Sequence, residues 1–547
     1  MHRCLRLTEI LEIIFCLVLD VRFIDPSFDC YQLLQPAILP FPNTKGRHSV
    51  LNLALTCRAF RDPALNVLHS YIGDIWPLSK SVPGQLPKPS WVHIPEQFRP
   101  SILRATCVQI FFNQNLQHHD SAYALLLESA SKDAPLFPQL RSLGWFDPRV
   151  ETIPALNLLL PTVHTLALDI TNDQFRKAVF QNLRTTSLHL KSLEFIAMVH
   201  TGLIIPELES FLSSYSESLT EISIRFFRKD VPNVLLEAIA VWPRLQYLTL
   251  DIGFNSMPLR APQPFQALTH LHMSCVTLRL FSSLLHSIFG TDSGTSGCPN
   301  LKKIYNIAHT CGPNATGIWS ELFTILTRTK LEHISIIESC SNSQPEPCYT
   351  GPTFFELRPF LASRTTLVNI KTLLIFPAHY GSITLTDADV HTLARACPHL
   401  YSVSLGNHNS PVSLGALGYI VRRCRELCEI SLRVDARLDA LGTIPLDDDE
   451  QMYLQPNRRL RMLAIGGSPI ACVGPLNPPT APDLMMSIPR FLHMIAPRLA
   501  KLEISLESRL GWTYRRYSLR EMKKMDDIQR WKKVGRVLLE LTQGDTD

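Results

Sequence analysis

Two histidines and a cysteine lie close enough in the sequence to suggest a metal site. His270, His272 and Cys275 fall within one short segment, and imidazole nitrogen and thiolate sulfur are the ligands that zinc prefers. The two histidines alternate with Leu271 and Met273, so on a strand they would occupy the face where polar residues are expected in any case. We therefore expect strand histidines at the surface and no bound metal.

The common motifs of nucleotide-binding, hydrolase and metalloprotease chemistry do not occur in the sequence. The glycine-rich stretch Gly290–Gly297 has no lysine after it and predicts a flexible loop, and the acidic run Asp447–Glu450 predicts a solvated one. We expect a chain that is not an enzyme and holds no cofactor. An enzyme on an α/β fold is the weaker alternative.

The composition limits the partners and the compartment. The chain has 547 residues, of which 46% are hydrophobic, and its formal charge is only +5, so disorder and a nucleic-acid partner are both disfavoured. The 14 cysteines have no regular spacing, which favours reduced thiols. The apolar run Ile10–Leu19 is interrupted by Glu12 and is too short to span a membrane. We expect a cytoplasmic or nuclear protein without a membrane partner.

The dominant pattern is a repeat in which apolar residues stand at the first, fourth and sixth positions. It recurs thirteen times, about every 30 residues. The first positions are Leu140, Val163, Leu190, Leu219, Leu245, Leu268, Leu301, Leu331, Ile370, Leu400, Leu427, Leu460 and Leu499. Six copies have a proline two residues earlier, which ends a helix and extends the chain toward a strand.

Amphipathic stretches between these copies predict helices, for example Pro206–Ser216, Thr386–Cys397 and Leu414–Cys424. The pattern therefore predicts an α/β, right-handed solenoid with strands along one face. An ordinary doubly wound α/β domain shares the pattern, but thirteen units exceed one such sheet. The repeats resemble leucine-rich repeats, and the resemblance implies a horseshoe. The asparagine or cysteine of that family is absent eight residues after each first position, for example at Thr171 and His408, so we describe the repeats as degenerate.

The first 75 residues differ from the rest. Cys4–Asp20 and Ser49–Tyr71 contain short amphipathic helices that are too small to bury their apolar faces alone. Pro63 predicts the start of a further short helix. The strings with Glu9-Ile10-Leu11 and with Cys57-Arg58 and Phe60 resemble an F-box, in the form that precedes leucine-rich repeats in fungal proteins. Thr8, His69 and the insert 21–48 depart from that family.

The resemblance implies a domain order and a role. Residues 1–75 would be an F-box-like helical segment, 76–135 a linker and entry to the solenoid, 136–510 the repeats, and 511–547 a capping helix and tail. Such a chain is a substrate-recognition subunit that binds a Skp-type adaptor of a cullin–RING ubiquitin ligase. A scaffold with a decayed F-box and no ligase recruitment is the alternative. The expected adaptor contacts are Leu7, Ile10, Leu11, Ile14, Phe15, Leu51, Leu55, Cys57 and Phe60.

The repeats would bind a protein substrate, whose identity the sequence does not specify, on the outward face of the strands. By alternation, that face contains residues two, four and six positions after each first apolar residue. Tyrosine and arginine are the residue types that dominate binding surfaces, and mixed charge favours a protein partner. The expected contacts are Arg225, Tyr247, Asp251, Lys303, Tyr305 and Arg433.

Overall fold

In a computed structural model, the chain divides into two units between Asp251 and Ile252. The residues described are 8–19, 21–23, 40–42, 44–72, 108, 110–113, 137–185, 189–196, 205–225, 233–252, 259, 264–289, 298–310, 315–338, 353–361, 367–377, 381–405, 409–436, 455–465, 468, 470, 481–504 and 519–544. The loops Gly290–Gly297 and Asp447–Glu450, residue Leu7 and most of 76–135 lie outside them.

The first unit begins with three helices, α1 (Thr8–Leu19), α2 (Thr44–Thr56) and α3 (Arg58–His69). We call these three helices the head. An antiparallel pair of short strands, β1 (Val21–Phe23) and β2 (Pro40–Pro42), joins the ends of the insert between α1 and α2. The insert therefore returns the chain to its starting point, and the two halves of the predicted helical segment meet.

Parallel strands follow the head in chain order, each paired with the next. They are β3 (Tyr71–Ile72), β4 (Ile110–Asn113), β5 (Ser142–Trp145), β6 (Thr165–Asp169), β7 (Ser192–Ile196), β8 (Glu221–Arg225) and β9 (Tyr247–Ile252). The helices between them are Ile153–Leu159, Asp173–Thr185, Ile205–Ser213 and Asn233–Ala240. The paired strands thus begin at Tyr71, earlier than the predicted start of the repeats at residue 136.

The register explains why the repeat pattern produces this architecture. The fourth residues of successive copies, such as Leu143, Leu166 and Leu193, align in one row across the sheet, and each is completely buried. Such a row buries apolar area only if every copy keeps the same phase, since a slip of one residue would turn the row outward. The alternating pattern therefore fixes both the strand and its register.

The second unit repeats the arrangement with strands that pair in parallel and in chain order. The strands are β10 (His270–Thr277), β11 (Lys303–Thr310), β12 (His333–Glu338), β14 (Thr372–Phe376), β16 (Ser402–Ser404), β18 (Glu429–Ser431), β20 (Met462–Ala464) and β21 (Lys501–Glu503). Its helices are Leu278–Phe289, Ala315–Leu326, Arg358–Leu361, Asp387–Ala396, Leu414–Arg423, Ala481–Ile495 and Leu519–Gly544.

The predicted fold class is confirmed, and all thirteen repeat copies coincide with a strand. Each of those strands begins two residues after the first apolar position, as β5 does after Leu140 and β21 after Leu499. Strands that pair only with their chain neighbours, with helices in the connections, are the arrangement of a leucine-rich-repeat solenoid. A doubly wound sheet would reverse its strand order at one point, and neither unit does.

A tight turn leads into many of these strands. The amide of Leu427 donates to the Cys424 carbonyl at 3.0 Å, and the amide of Leu499 donates to Ala496 at 3.1 Å. The two residues between the donor and the acceptor form the tip of the turn. In the turn before β20, the side-chain oxygen of Asn457 accepts from the amides of Arg459 and Leu460 at 2.7 and 3.2 Å.

Side chains three residues before the first leucine connect successive turns. The Cys424 thiol donates to the Cys397 carbonyl of the preceding turn at 3.5 Å. The side-chain nitrogen Nδ2 of Asn457 lies within 3.1 Å of three carbonyl oxygens, those of Val421, Cys424 and Leu427. Buried carbonyls require donors, so these cysteine and asparagine side chains satisfy the turns. Burial raises the pKa of the Cys424 thiol to about 12, so the thiol stays protonated and able to donate.

The second unit also contains short pairs of strands, separate from the main sheet, that the sequence pattern did not predict. They are β13 (Thr353–Glu356) with β15 (Gly381–Thr384), and β17 (Val412–Ser413) with β19 (Val434–Asp435). Asn409 is buried beside the second pair, where its side chain accepts from the Arg433 amide at 2.8 Å and donates to the Arg433 carbonyl at 2.9 Å. An asparagine that connects two repeats is thus present, one residue after the expected position at His408.

Candidate partner-binding surfaces

The head has its own apolar core. Leu11, Phe15 and Leu19 of α1 pack with Val50 and Ala54 of α2 and with residues of α3. The rings of Phe15 and Phe60 meet edge to face, with centroids 5.7 Å apart. Pro63 lies inside α3 and is buried, so the prediction that it starts a separate helix was wrong. The helix begins at Arg58 instead, after Cys57 in extended backbone geometry.

Two further contacts fix how the helices of the head cross. A Cβ atom added to Gly46 would clash with the Leu19 carbonyl oxygen, so only glycine permits α2 to approach the end of α1 this closely. The side-chain amide of Asn66 in α3 donates to Glu12 of α1 at 2.9 Å. The relative position of the three helices is therefore specified by packing and by a hydrogen bond.

The head also leaves large apolar side chains exposed. Ile13 and Leu17 of α1 keep 62% and 76% of their surface exposed, and Leu55 of α2 keeps 78%. Ile14 and Leu51 are exposed to a smaller degree. We call these five side chains the head apolar surface. On α1 the three residues follow helical spacing and form a stripe, and contiguous exposed apolar surface of this kind marks interaction sites.

The structure separates the predicted adaptor contacts into three groups. Ile14, Leu51 and Leu55 are exposed, whereas Ile10, Cys57 and Phe60 are partly buried. Leu11 and Phe15 are 2% exposed inside the head core, so the expectation that they contact a partner is corrected. Helical spacing alone does not distinguish the two apolar faces of α1, because the positions of α2 and α3 decide which face is covered. Ile13 and Leu17 were missed for the same reason.

On the outward face of the first unit, one predicted contact is also corrected. Arg225 is 3% exposed, and its Nε lies 3.4 Å from Oε1 of Glu194, which is completely buried. The Ser223 hydroxyl donates to the same Glu194 oxygen at 3.1 Å. A buried, paired guanidinium has a structural role and is not available to a partner. Tyr247 and Asp251 remain accessible, at 40% for Tyr247.

Acidic groups gather around this buried pair. Burial raises the pKa of Glu221, the nearby Glu194 raises it further, and a hydrogen bond from the Ser192 hydroxyl at 2.8 Å lowers it. Burial also raises the pKa of Asp169, against hydrogen bonds from Thr171. The charge of Arg225 is therefore already balanced within the chain by Glu194, among further carboxyl groups.

On the outward face of the second unit, Lys303 is exposed and Tyr305 is half-buried against His272, with ring centroids 4.5 Å apart. Burial and the nearby Lys303 lower the pKa of His270 to about 4. His270 is therefore neutral at physiological pH. Arg433 is partly buried, and that burial lowers its pKa. Lys303 and Tyr305 are thus accessible, and their contact with a substrate stays a prediction.

The described part of the chain contains neither a group of side chains suited to a metal ion nor a helix suited to span a membrane. No group of three or more histidine, cysteine, aspartate or glutamate side chains lies close enough there to hold a metal ion. None of the helices described combines the length and the apolar character that crossing a bilayer requires.

No family model matches the sequence, and no curated protein matches it. Among solved structures, the Rad7–Elc1 complex of yeast is similar over 62% of this chain and 79% of the matched chain, with 13% identity and a TM-score of 0.34. A leucine-rich-repeat protein of Leptospira interrogans is similar over 79% and 99%, with 12% identity and a TM-score of 0.35. These TM-scores are too low to support an inference about fold or function. The repeat fold is therefore identified from the strand register alone.

Proposed function

We propose that the chain is a non-catalytic receptor subunit of a cullin–RING ubiquitin ligase. The head would dock on a Skp-type adaptor, and the repeats would bind a protein substrate. The ligase would then act by bringing a substrate lysine close to a charged ubiquitin carrier, so that proximity replaces any chemistry by this chain. We propose the cytoplasm or nucleus as its location, where cysteines remain reduced.

The observation that carries the proposal is the head apolar surface. The head already has a core of its own, so Leu17 and Leu55 are not needed to hold the three helices together. Leaving such side chains in water is unfavourable by about 1.5–3 kcal/mol each relative to full burial. A folded helical unit that keeps several of them exposed is well suited to bind an apolar surface on another protein.

The test is capture of a Skp-type adaptor by the full chain. Changing Leu17→Asp and Leu55→Asp together places two charges on the head apolar surface, and we expect at least tenfold weaker binding. Leu539→Asp is a matched control, because Leu539 is an exposed leucine of the helix Leu519–Gly544. Unchanged capture by the double variant would contradict the proposal.

The alternative of a scaffold with a decayed F-box predicts a different result. In that case the wild-type chain would fail to capture the adaptor and would still bind other proteins through its repeats.

The test also needs a folding control. Circular dichroism of the Leu17→Asp, Leu55→Asp variant must match the wild type, so that loss of capture is not due to unfolding of the head.

A further inference from the structure

Arginines concentrate at the turns that lead into the last three strands of the second unit. Arg425 lies at the tip of the turn before β18, Arg458 and Arg459 form the tip before β20, and Arg498 is at the tip before β21. Arg461 directly precedes β20. All five side chains are exposed. We call these five residues the arginine cluster.

The strand register places these turns side by side. β18 pairs with β20 and β20 pairs with β21, all in parallel and with equivalent residues opposite each other. Neighbouring strands lie about 5 Å apart, so Arg425 and Arg458, at equivalent positions, are about one strand spacing apart at the backbone. The same holds for Arg459 and Arg498. The cluster therefore spans about 10 Å along the sheet edge.

No ion pair within the described part of the chain neutralises this charge. None of the five guanidinium groups makes an ion pair or a hydrogen bond with the residues described. Three acids lie nearby: Glu426 is 3.4 Å from His399, Glu503 pairs with Lys501, and Glu429 lies on β18 opposite Met462. Among the described residues, none of the three forms an ion pair with a guanidinium of the cluster. Like charges held this close repel each other, and repulsion of this kind is relieved by an anionic partner.

In earlier repeats, a row of lysines before the strands is balanced by a glutamate of the chain itself. Glu332 lies between Lys302 and Lys371, each directly before one of three neighbouring strands, with oxygen–nitrogen distances of 3.6 and 2.7 Å. The hydrogen bond from Lys371 lowers the pKa of Glu332. The contrast shows that a cationic row at a sheet edge can be balanced within this fold, and that the arginine cluster is not.

We infer that the arginine cluster binds a carboxylate-rich segment of a protein partner. Guanidinium groups pair with carboxylates through two parallel hydrogen bonds, which suits arginine better than lysine. A site about 10 Å wide accommodates three or four extended residues. A polynucleotide would need a longer cationic path, and the carboxylates of Glu426 and Glu429 lie at the border of the cluster. The inference builds on the proposed partner-binding role of the repeats and is independent of adaptor docking.

The test is fluorescence anisotropy with the full chain and a labelled twelve-residue peptide that contains six glutamates. We expect the double change Arg459→Glu and Arg498→Glu to weaken binding at least tenfold, and Arg459→Gln with Arg498→Gln to weaken it to a smaller degree. Arg328→Glu with Lys330→Glu is the matched control, because both residues are exposed near the turn before β12 and the change in net charge is equal. This control should change binding less than twofold.

Three outcomes would overturn the inference. They are equal weakening by both pairs of reversals, binding of the glutamine version of the peptide as tight as that of the glutamate version, and tighter binding of a twelve-nucleotide single-stranded RNA. Adaptor capture by the Arg459→Glu, Arg498→Glu variant is measured in parallel and should be unchanged. Failure of the wild type to capture the adaptor would sink the proposed ligase role and leave the peptide result intact.

Discussion

The helices near the two ends of the chain differ in how far their apolar side chains are buried. In the helix Leu519–Gly544, Trp531, Val534 and Leu538 are buried, and the Trp531 indole donates to the Ser468 carbonyl at 3.0 Å. In α1 of the head, one apolar face is buried and a second, with Ile13 and Leu17, is exposed. The C-terminal helix therefore covers apolar surface of its own unit, whereas the head presents apolar surface outward.

The difference indicates how to separate structural from binding roles in such chains. The last repeat of a solenoid exposes its core unless something covers it, so a terminal helix with a single buried stripe serves stability. A second apolar face on a helix that is already packed serves no folding purpose within the described structure. Substitutions that pair a buried with an exposed residue on the same helix test this distinction directly.

The largest effect on stability is expected at Trp531. Trp531→Ala removes a fully buried ring and the donor to Ser468, so the free energy of unfolding of the second unit should fall by about 3–5 kcal/mol. Urea unfolding measures the loss, and hydrogen exchange should become faster in β21. Leu539→Ala on the same helix is the control, and it should change stability by less than about 0.5 kcal/mol. Similar losses of stability in both variants would contradict the role of this helix as a cap.

At the other end, Phe15→Ala should cost about 3 kcal/mol, because Phe15 is buried and contacts the Phe60 ring. The loss should appear as faster hydrogen exchange in α1, α2 and α3. Leu17→Ala, two residues away on the exposed side of the same helix, should leave exchange in these helices unchanged. If Leu17→Ala destabilised the head as much as Phe15→Ala, the head apolar surface would be part of a fold contact.

A smaller loss is expected from a polar change inside the repeats. Asn457→Ala removes the donor to three buried carbonyls and the acceptor for two turn amides, and should cost about 2–3 kcal/mol. Thermal unfolding measures it. Asn457→Asp keeps the acceptor and loses the donor, so it should remain destabilising. If Asn457→Ala left the stability unchanged, water would have to replace the side chain in these turns.

The repeats were predictable from sequence to the residue because their signal is local. The strand at Leu427 requires only an apolar side chain at residues 427, 430 and 432, and this periodicity is visible in the chain itself. The sequence predicts that the head is helical. It does not predict which of its apolar side chains are exposed. Whether Phe15 or Leu17 is buried depends on where α2 and α3 lie, and those helices are distant from α1 in the sequence.

Polar partners were the least predictable feature. Arg225 has the residue type and strand position of a surface contact, and only the buried Glu194 on the neighbouring strand makes it structural. Asn409 was not predicted because it stands one position after the expected one, from where its side chain still bonds the Arg433 amide of the next repeat. The arginine cluster is invisible in the net charge of +5, since its members are spread over 74 residues from Arg425 to Arg498 and meet only through the strand register.

The smallest effect on stability should accompany a large effect on binding. Leu17→Ser with Leu55→Ser removes two exposed side chains, so the free energy of unfolding should change by less than about 0.5 kcal/mol for each substitution. The binding of a hydrophobic dye to the full chain should decrease, and capture of a Skp-type adaptor should weaken at least tenfold. Loss of capture together with loss of stability would mean that these leucines hold the head together. Loss of capture at unchanged stability is possible only for residues whose partner lies outside the chain, and it would separate the head from the C-terminal helix in function as well as in burial.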